Sequence, residues 1–230
     1  MSTGRGWLAA AVVAVIAALG AVLTVTGVFG GGDPATPPAA AAPSPTADTG
    51  GVSVCGLTDV ALSGTVDQAP ADAQWALVGT IAAPSVPGQG PGLVEKDGFR
   101  SCFARTPTGA VVAAANLAAL GSYPPVRDRF NEQALAPGPG RDAVLAKPAA
   151  QGASDGPRLE LVGVQLLRYT GDQADVDLAL RTSTGSLLAA TVYLTWAEGD
   201  WKARVADDGS DLSSVSPIST LDAYLPWSAE

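Results

Sequence analysis

The chain contains no histidine. That absence removes Ser-His-Asp and Cys-His nucleophile systems, the His-Glu-x-x-His zinc helix and any imidazole proton relay. Lysine is confined to Lys96, Lys147 and Lys202, and Arg5 is the only charge ahead of Asp33. The formal net charge is −9, and the part beyond residue 32 sets 22 acidic against 12 basic residues. No Lys/Arg cluster relieves that surface, which repels phosphate backbones and anionic headgroups, so no direct nucleic-acid binding is expected. Cysteine is scarce too: only Cys55 and Cys102 occur, with no Cys-x-x-Cys. Two thiolates without a histidine make a poor zinc site.

Charge is also missing from Trp7 to Gly32, a run of 26 residues. That exceeds the roughly 20 needed to span a bilayer core as a helix. Arg5 before the run, and no basic residue after it until Lys96, favour an N-terminus on the inside. A cleaved signal peptide would have an apolar core of about 7–15 residues with small residues close behind. Here the core is longer, the Ala-x-Ala options lie beyond the proline-rich Pro34–Ala42, and no cysteine follows closely for lipid attachment. The expectation is a cytoplasmic tail over 1–6, a retained single-pass membrane helix over 7–32, and a C-terminal part outside the cell.

Residues 33–53, "DPATPPAAAAPSPTADTGGVS", contain five prolines and no large apolar side chain. Such a segment cannot bury enough surface to fold and reads as a disordered, semi-rigid stalk. Both cysteines lie beyond it, in an oxidising compartment on this reading, where a Cys55–Cys102 disulfide is the simplest outcome.

Residues 54–230 carry the folded domain. The segment 73–84, "AQWALVGTIAAP", alternates Trp75, Leu77, Gly79 and Ile81 against Ala76, Val78 and Thr80, as one strand would. A short extended piece follows over 98–105. Thr106 and Pro107 then form a helix start, with a capping hydroxyl followed by a residue whose missing N–H costs nothing there. From Gly109 to Leu120 the only polar residue is Asn116. A helix apolar all round belongs inside a core, and this one is too short to cross a bilayer. Residues 124–136 place Val126, Phe130 and Ala134 at helical spacing among charged and amide residues, as in an amphipathic surface helix, and 141–147 offers one more turn. Four strands follow, at 158–170, 174–183, 186–197 and 200–205, joined by short glycine-bearing turns that force antiparallel neighbours. In the second, Val176, Leu178 and Leu180 alternate with Asp175, Asp177 and Arg181. In the fourth, Trp201, Ala203 and Val205 alternate with Lys202 and Arg204. Helices first and then a run of strands indicate an α+β domain. The order is that of an NTF2-like cone, a curved antiparallel sheet of four or more strands around the first helix.

The stretches "WALVGTIAAPSVPGQGPG", "CFARTPTGAVVAAANLAAL", "GDWKARV" and "YLPW" resemble a family of uncharacterised actinobacterial single-span proteins associated with conjugation and type IV secretion gene clusters. The general plan of anchor, stalk and domain is similar in architecture to the bitopic NTF2-like scaffold subunit of type IV secretion channels. The resemblance implies no catalytic residue, cofactor or metal, and none is assigned.

Three functional readings follow. The first is a non-enzymatic, membrane-anchored extracytoplasmic scaffold of a conjugative transfer apparatus, with other apparatus subunits or further copies of itself as partners. The second is a cell-envelope module that binds or senses a small ligand in an NTF2-like pocket, with Trp196, Trp201, Tyr169 and Tyr193 as candidate lining aromatics. The third is an enzyme, for which Asp175, Asp177 and Asp200 are the available carboxylates; a buried one with a raised pKa would favour it. The acidic "ADDGSD" at 206–211 lacks the spacing and terminal glutamate of a calcium loop and reads as a solvated turn.

Overall fold

The computed structural model describes residues 51–70, 72–147 and 157–229. The expected tail, membrane span and stalk up to residue 50, and residues 148–156, lie outside the described residues. Among the described residues no helix is long and apolar enough to cross a membrane.

The centre is α1 (Pro107–Gly121). Thr106 caps it, its Oγ1 accepting from the Gly109 N–H at 2.8 Å, and Pro107 occupies the first turn. Gly109 is required by contact: a Cβ there would lie 2.1 Å from the Ala104 carbonyl oxygen. Residues Ala110–Ala115, Leu117, Ala119 and Leu120 are all buried, as an all-round apolar helix demands.

Around α1 curls one mixed sheet. Strands β1 (Gln74–Val78) and β2 (Ile81–Ser85) form an antiparallel hairpin. The short pair β3 (Leu93–Val94) and β4 (Arg100–Ser101) stands apart as its own sheet. Strands β5 (Leu159–Tyr169), β6 (Gln173–Thr182), β7 (Leu187–Ala197) and β8 (Asp200–Ala203) form the expected antiparallel meander. The strand β9 (Val215–Ile218) pairs with β7, and β10 (Leu225–Pro226) with β5. The order is β1-β2-β5-β6-β7-β8, and α1 contacts β2 and every strand from β4 to β8. Two register shifts in β5, at Leu161/Gly163 and Leu166/Arg168, mark bulges that increase local twist and help the sheet curl.

Several expectations are corrected. Residues 73–84 are two strands, not one: Gly79 adopts φ +59 and, with Thr80, turns the chain back. The chain reversal leaves Leu77 61% exposed, while Val78 and Ile81 enter the core. Because β2 meets β5 in parallel at Ile81↔Leu159, the sheet is mixed rather than wholly antiparallel.

The segment 124–136 is not a regular amphipathic helix. It divides into a 3₁₀ turn at Pro124–Val126, a single turn α2 (Arg127–Arg129) and a π-helical turn at Phe130–Ala134. Pro137 explains part of this. In an α-helix the Gln133 carbonyl would accept from the N–H of residue 137, which proline lacks. Lys202 Nζ donates to that carbonyl instead, at 2.7 Å. Lys202 is therefore buried, although alternation places it on a wet face. Next, α3 (Pro139–Ala146) begins earlier than expected, with Gly140 against the Ala206 carbonyl.

Candidate functional site

Three of the four candidate aromatics meet at one end of the core. Trp201 is fully buried between Trp196, 5.4 Å away in T-shaped contact, and Tyr169 at 5.8 Å. Its indole N–H donates to the Ala104 carbonyl at 2.9 Å, and the Tyr169 hydroxyl donates to the Ala61 carbonyl at 2.7 Å. The Arg105 guanidinium lies 5.3 Å from the Trp196 ring centroid, donates through Nε to the Gly171 carbonyl and pairs with Asp172. Burial pushes the Tyr169 phenol up to about 12, with Arg105 opposing the shift. Tyr193 does not join this group: β7 alternation puts it on the face opposite Leu194, which is buried. The cluster is a set of rings packed on one another.

Beside it lies the Asp200 carboxylate, almost fully buried. Oδ1 accepts from the N–H groups of Phe103 and Trp201, and Oδ2 from that of Cys102, each at 2.9 Å. Lys202 Nζ is 3.7 Å from Oδ2. Burial pushes this carboxyl above the usual carboxylate range, while Lys202 and the three N–H donors pull it back. All three donors are backbone groups, which suits the carboxylate to holding a loop. Asp175 pairs with Arg168 at 2.8 Å. Asp177 accepts from Thr191 Oγ1 at 3.0 Å and from the Tyr224 hydroxyl at 2.6 Å. These carboxylates all face structural partners, and they do not converge on one point. The 206–211 stretch is a turn, closed by the Ala206 N–H on the Ser210 carbonyl and the Ser210 N–H on Asp208 Oδ1.

The two cysteines are joined, Cys55 to Cys102, across a sequence separation of 47. Cys102 adopts φ +68, a left-handed conformation that Asp200 holds through its N–H. The bond ties the segment at 51–66 to the domain, helped by the Val54 N–H on the Gly199 carbonyl and the Ala61 N–H on the Arg105 carbonyl. Ser53, at the end of the expected stalk, is already buried in this arrangement.

A shallow cleft of about 270 Å³ opens where the β1/β2 hairpin ends. Gln74 and Ser85, directly opposed in register, line one side. The loop 86–92 and Leu57 form the rest. Behind Ser85 sits Arg100, only 6% exposed, whose Nη1 donates to Ser85 Oγ and the Pro84 carbonyl at 3.3 Å and to Asn116 Oδ1 at 3.0 Å. Asn116, wholly buried, donates through Nδ2 to the carbonyls of Pro84 and Val112, both at 2.8 Å. Burial lowers the Arg100 pKa from its ordinary value. None of the four candidate aromatics lines this cleft. The sequence signal for it is Asn116, the lone amide in an apolar run, since a buried amide demands partners.

No curated protein and no solved structure matches the chain. One family profile does, that of "Domain of unknown function (DUF8175)", over residues 35–226. The match covers every described residue up to 226, and the chain belongs to that family.

Proposed function

We propose that the chain is a non-enzymatic, membrane-anchored assembly module whose extracytoplasmic, NTF2-like domain joins a second copy through the free edge of its sheet. The observation that carries this reading is β1. It pairs with β2 only, and no other strand among the described residues covers its outer side. Val78 and Ile81 flank a two-residue turn and so exchange both backbone bonds, which leaves the N–H and C=O groups of Trp75 and Leu77 directed outward. Pro84, opposite Trp75, fits this register because it has no N–H to offer β1. The strand "QWALV" has no charge, proline or bulge to protect its edge, and Leu77 is exposed.

A second copy is the fitting occupant. Two domains from chains of net charge −9 repel over most surfaces, and an uncharged strand pairing antiparallel with itself brings no like charges together. A shared membrane raises the effective concentration of such tethered domains, so a modest interface suffices. The assembly that the sequence resemblance suggests is a conjugative transfer apparatus of the type IV secretion kind.

Light scattering on the detergent-solubilised full chain tests the edge. A concentration-dependent dimer that Leu77→Lys converts to monomer supports the reading. A strictly monomeric wild type, or a dimer indifferent to Leu77→Lys, contradicts it. A second reading, a small-ligand-binding envelope module, is favoured by the cleft beside Ser85.

A further inference from the structure

We propose that the cleft between Gln74, Ser85 and the 86–92 loop binds a carboxylate carried on a small apolar body, with Arg100 supplying the opposing charge from behind Ser85.

Arg100 is the buried cation at this site. A guanidinium stays charged even when buried, and taking it out of water is costly unless a counter-charge compensates. Here its acceptors are an amide, a carbonyl and a hydroxyl, and no carboxylate pairs with it among the described residues. Acids are not in short supply nearby. Glu95 and Asp97 both turn to Arg129 instead, at 2.9 and 3.2 Å. In a chain with 22 acidic residues, one buried cation without an acidic partner marks a place where a negative group can be supplied from outside.

Ser85 transmits that charge to the cleft. Its Oγ accepts from Arg100, so its own proton is free to donate, and no acceptor among the described residues takes it. The Gln74 amide stands opposite on the same face of the hairpin, and it too has no partner among the described residues. A hydroxyl and an amide N–H backed by one cation suit one carboxylate. Leu57, Val86, Pro87 and Pro91 supply apolar wall for its body. One cation within a strongly acidic protein does not suit a polyanion.

The wall is fixed before any ligand arrives. A Cβ on Gly90 would lie 2.6 Å from the Phe103 ring, and one on Gly92 2.4 Å from Cys55 Sγ, so the loop sits tightly against the disulfide. The Gly92 N–H donates to the Cys102 carbonyl at 2.7 Å, and the Ala104 N–H to the Gln89 carbonyl at 3.0 Å. Such a preformed site loses little entropy on binding.

The carboxylate could belong to a free organic acid or to the C-terminus of a peptide, and calorimetry on the full chain distinguishes them. The probes are hexanoate and benzoate, the tripeptide Gly-Gly-Leu, the matching amides of all three, and inorganic phosphate. Binding of a carboxylate at least about tenfold tighter than its amide, weakened at least about tenfold by Ser85→Ala, is the expected result, since charge-assisted bonds are about twice as strong as neutral ones. Preference for the organic acids identifies a small-molecule site, and preference for the tripeptide a chain-terminus site. Gln74→Leu gives a second readout that leaves Arg100 and the core untouched. Absence of binding at millimolar carboxylate, equal binding of acid and amide, phosphate binding as tightly, or no effect of Ser85→Ala would each overturn the proposal. None of these outcomes depends on pairing at the β1 edge.

Discussion

Asp200 and Cys102 lie 98 positions apart in the chain, and the carboxylate of one accepts the backbone N–H of the other at 2.9 Å. This contact joins the start of β8 to the residue that carries the disulfide, and the same carboxylate holds Phe103 and Trp201. Asp200→Asn turns one acceptor into a donor that must face an N–H, and it leaves Lys202 without its anion. Unfolding in urea should lose about 3 kcal/mol, the scale for stranding buried donors. A loss within the error of the wild-type value would mean that the carboxylate is not the clasp.

The disulfide closes a loop with a sequence separation of 47. On the chain-entropy view this contributes about 4 kcal/mol. Reduction, or the double change Cys55→Ser with Cys102→Ser, should lower the urea midpoint accordingly. It should also open the 51–66 segment to proteolysis before the rest of the domain. Simultaneous cleavage throughout would show that the segment is held by other contacts.

Gly109→Ala sets two effects against each other. Alanine is the better helix former by about 1 kcal/mol. The new Cβ, however, would lie 2.1 Å from the Ala104 carbonyl oxygen, a backbone atom that cannot step aside cheaply. The steric effect wins, and the variant should melt below the wild type. An unchanged or raised melting temperature would require α1 to start differently.

Two phenols give a pH signature. Burial raises both Tyr169 and Tyr224 to about 12, Tyr224 with further help from its bond to Asp177. The folded state then keeps protons that the unfolded chain releases near pH ~10. Stability from these groups is thus fully present below about pH 10 and drains away as pH rises towards about 12. Tyrosinate absorbance should show two late-titrating phenols, and Tyr169→Phe with Tyr224→Phe should flatten the alkaline decline. Titration of both near the ordinary value would refute this.

Much of this architecture is legible along the chain because its signals are local. Thr106 and Pro107 announce the start of α1, and the unbroken apolar run announces its burial. Short turns fix the meander; Glu198 and Gly199, at φ +54 and +73, form the tight β7–β8 reversal. What escapes the sequence depends on distant partners. Gly79 continues the alternation of 73–84 while reversing the chain, because a glycine fits a strand pattern and a left-handed turn equally well. The irregular run after Pro124 follows from a carbonyl that Pro137 cannot serve, and the lysine that serves it lies 69 positions away. Arg100 carries no sequence mark of burial at all. Tyr193 looks like Trp196 in the sequence, yet one step of strand alternation separates their faces.

The proposed assembly depends on the outer edge of β1 being the working surface. Residue-resolved amide exchange on the full chain, in membrane vesicles at high and low protein density, measures this directly. The N–H groups of Trp75 and Leu77 should exchange slowly at high density and rapidly when the chains are diluted, while Ala76 and Val78, bonded to β2, stay constant. Equal and rapid exchange of Trp75 and Leu77 at both densities would contradict it.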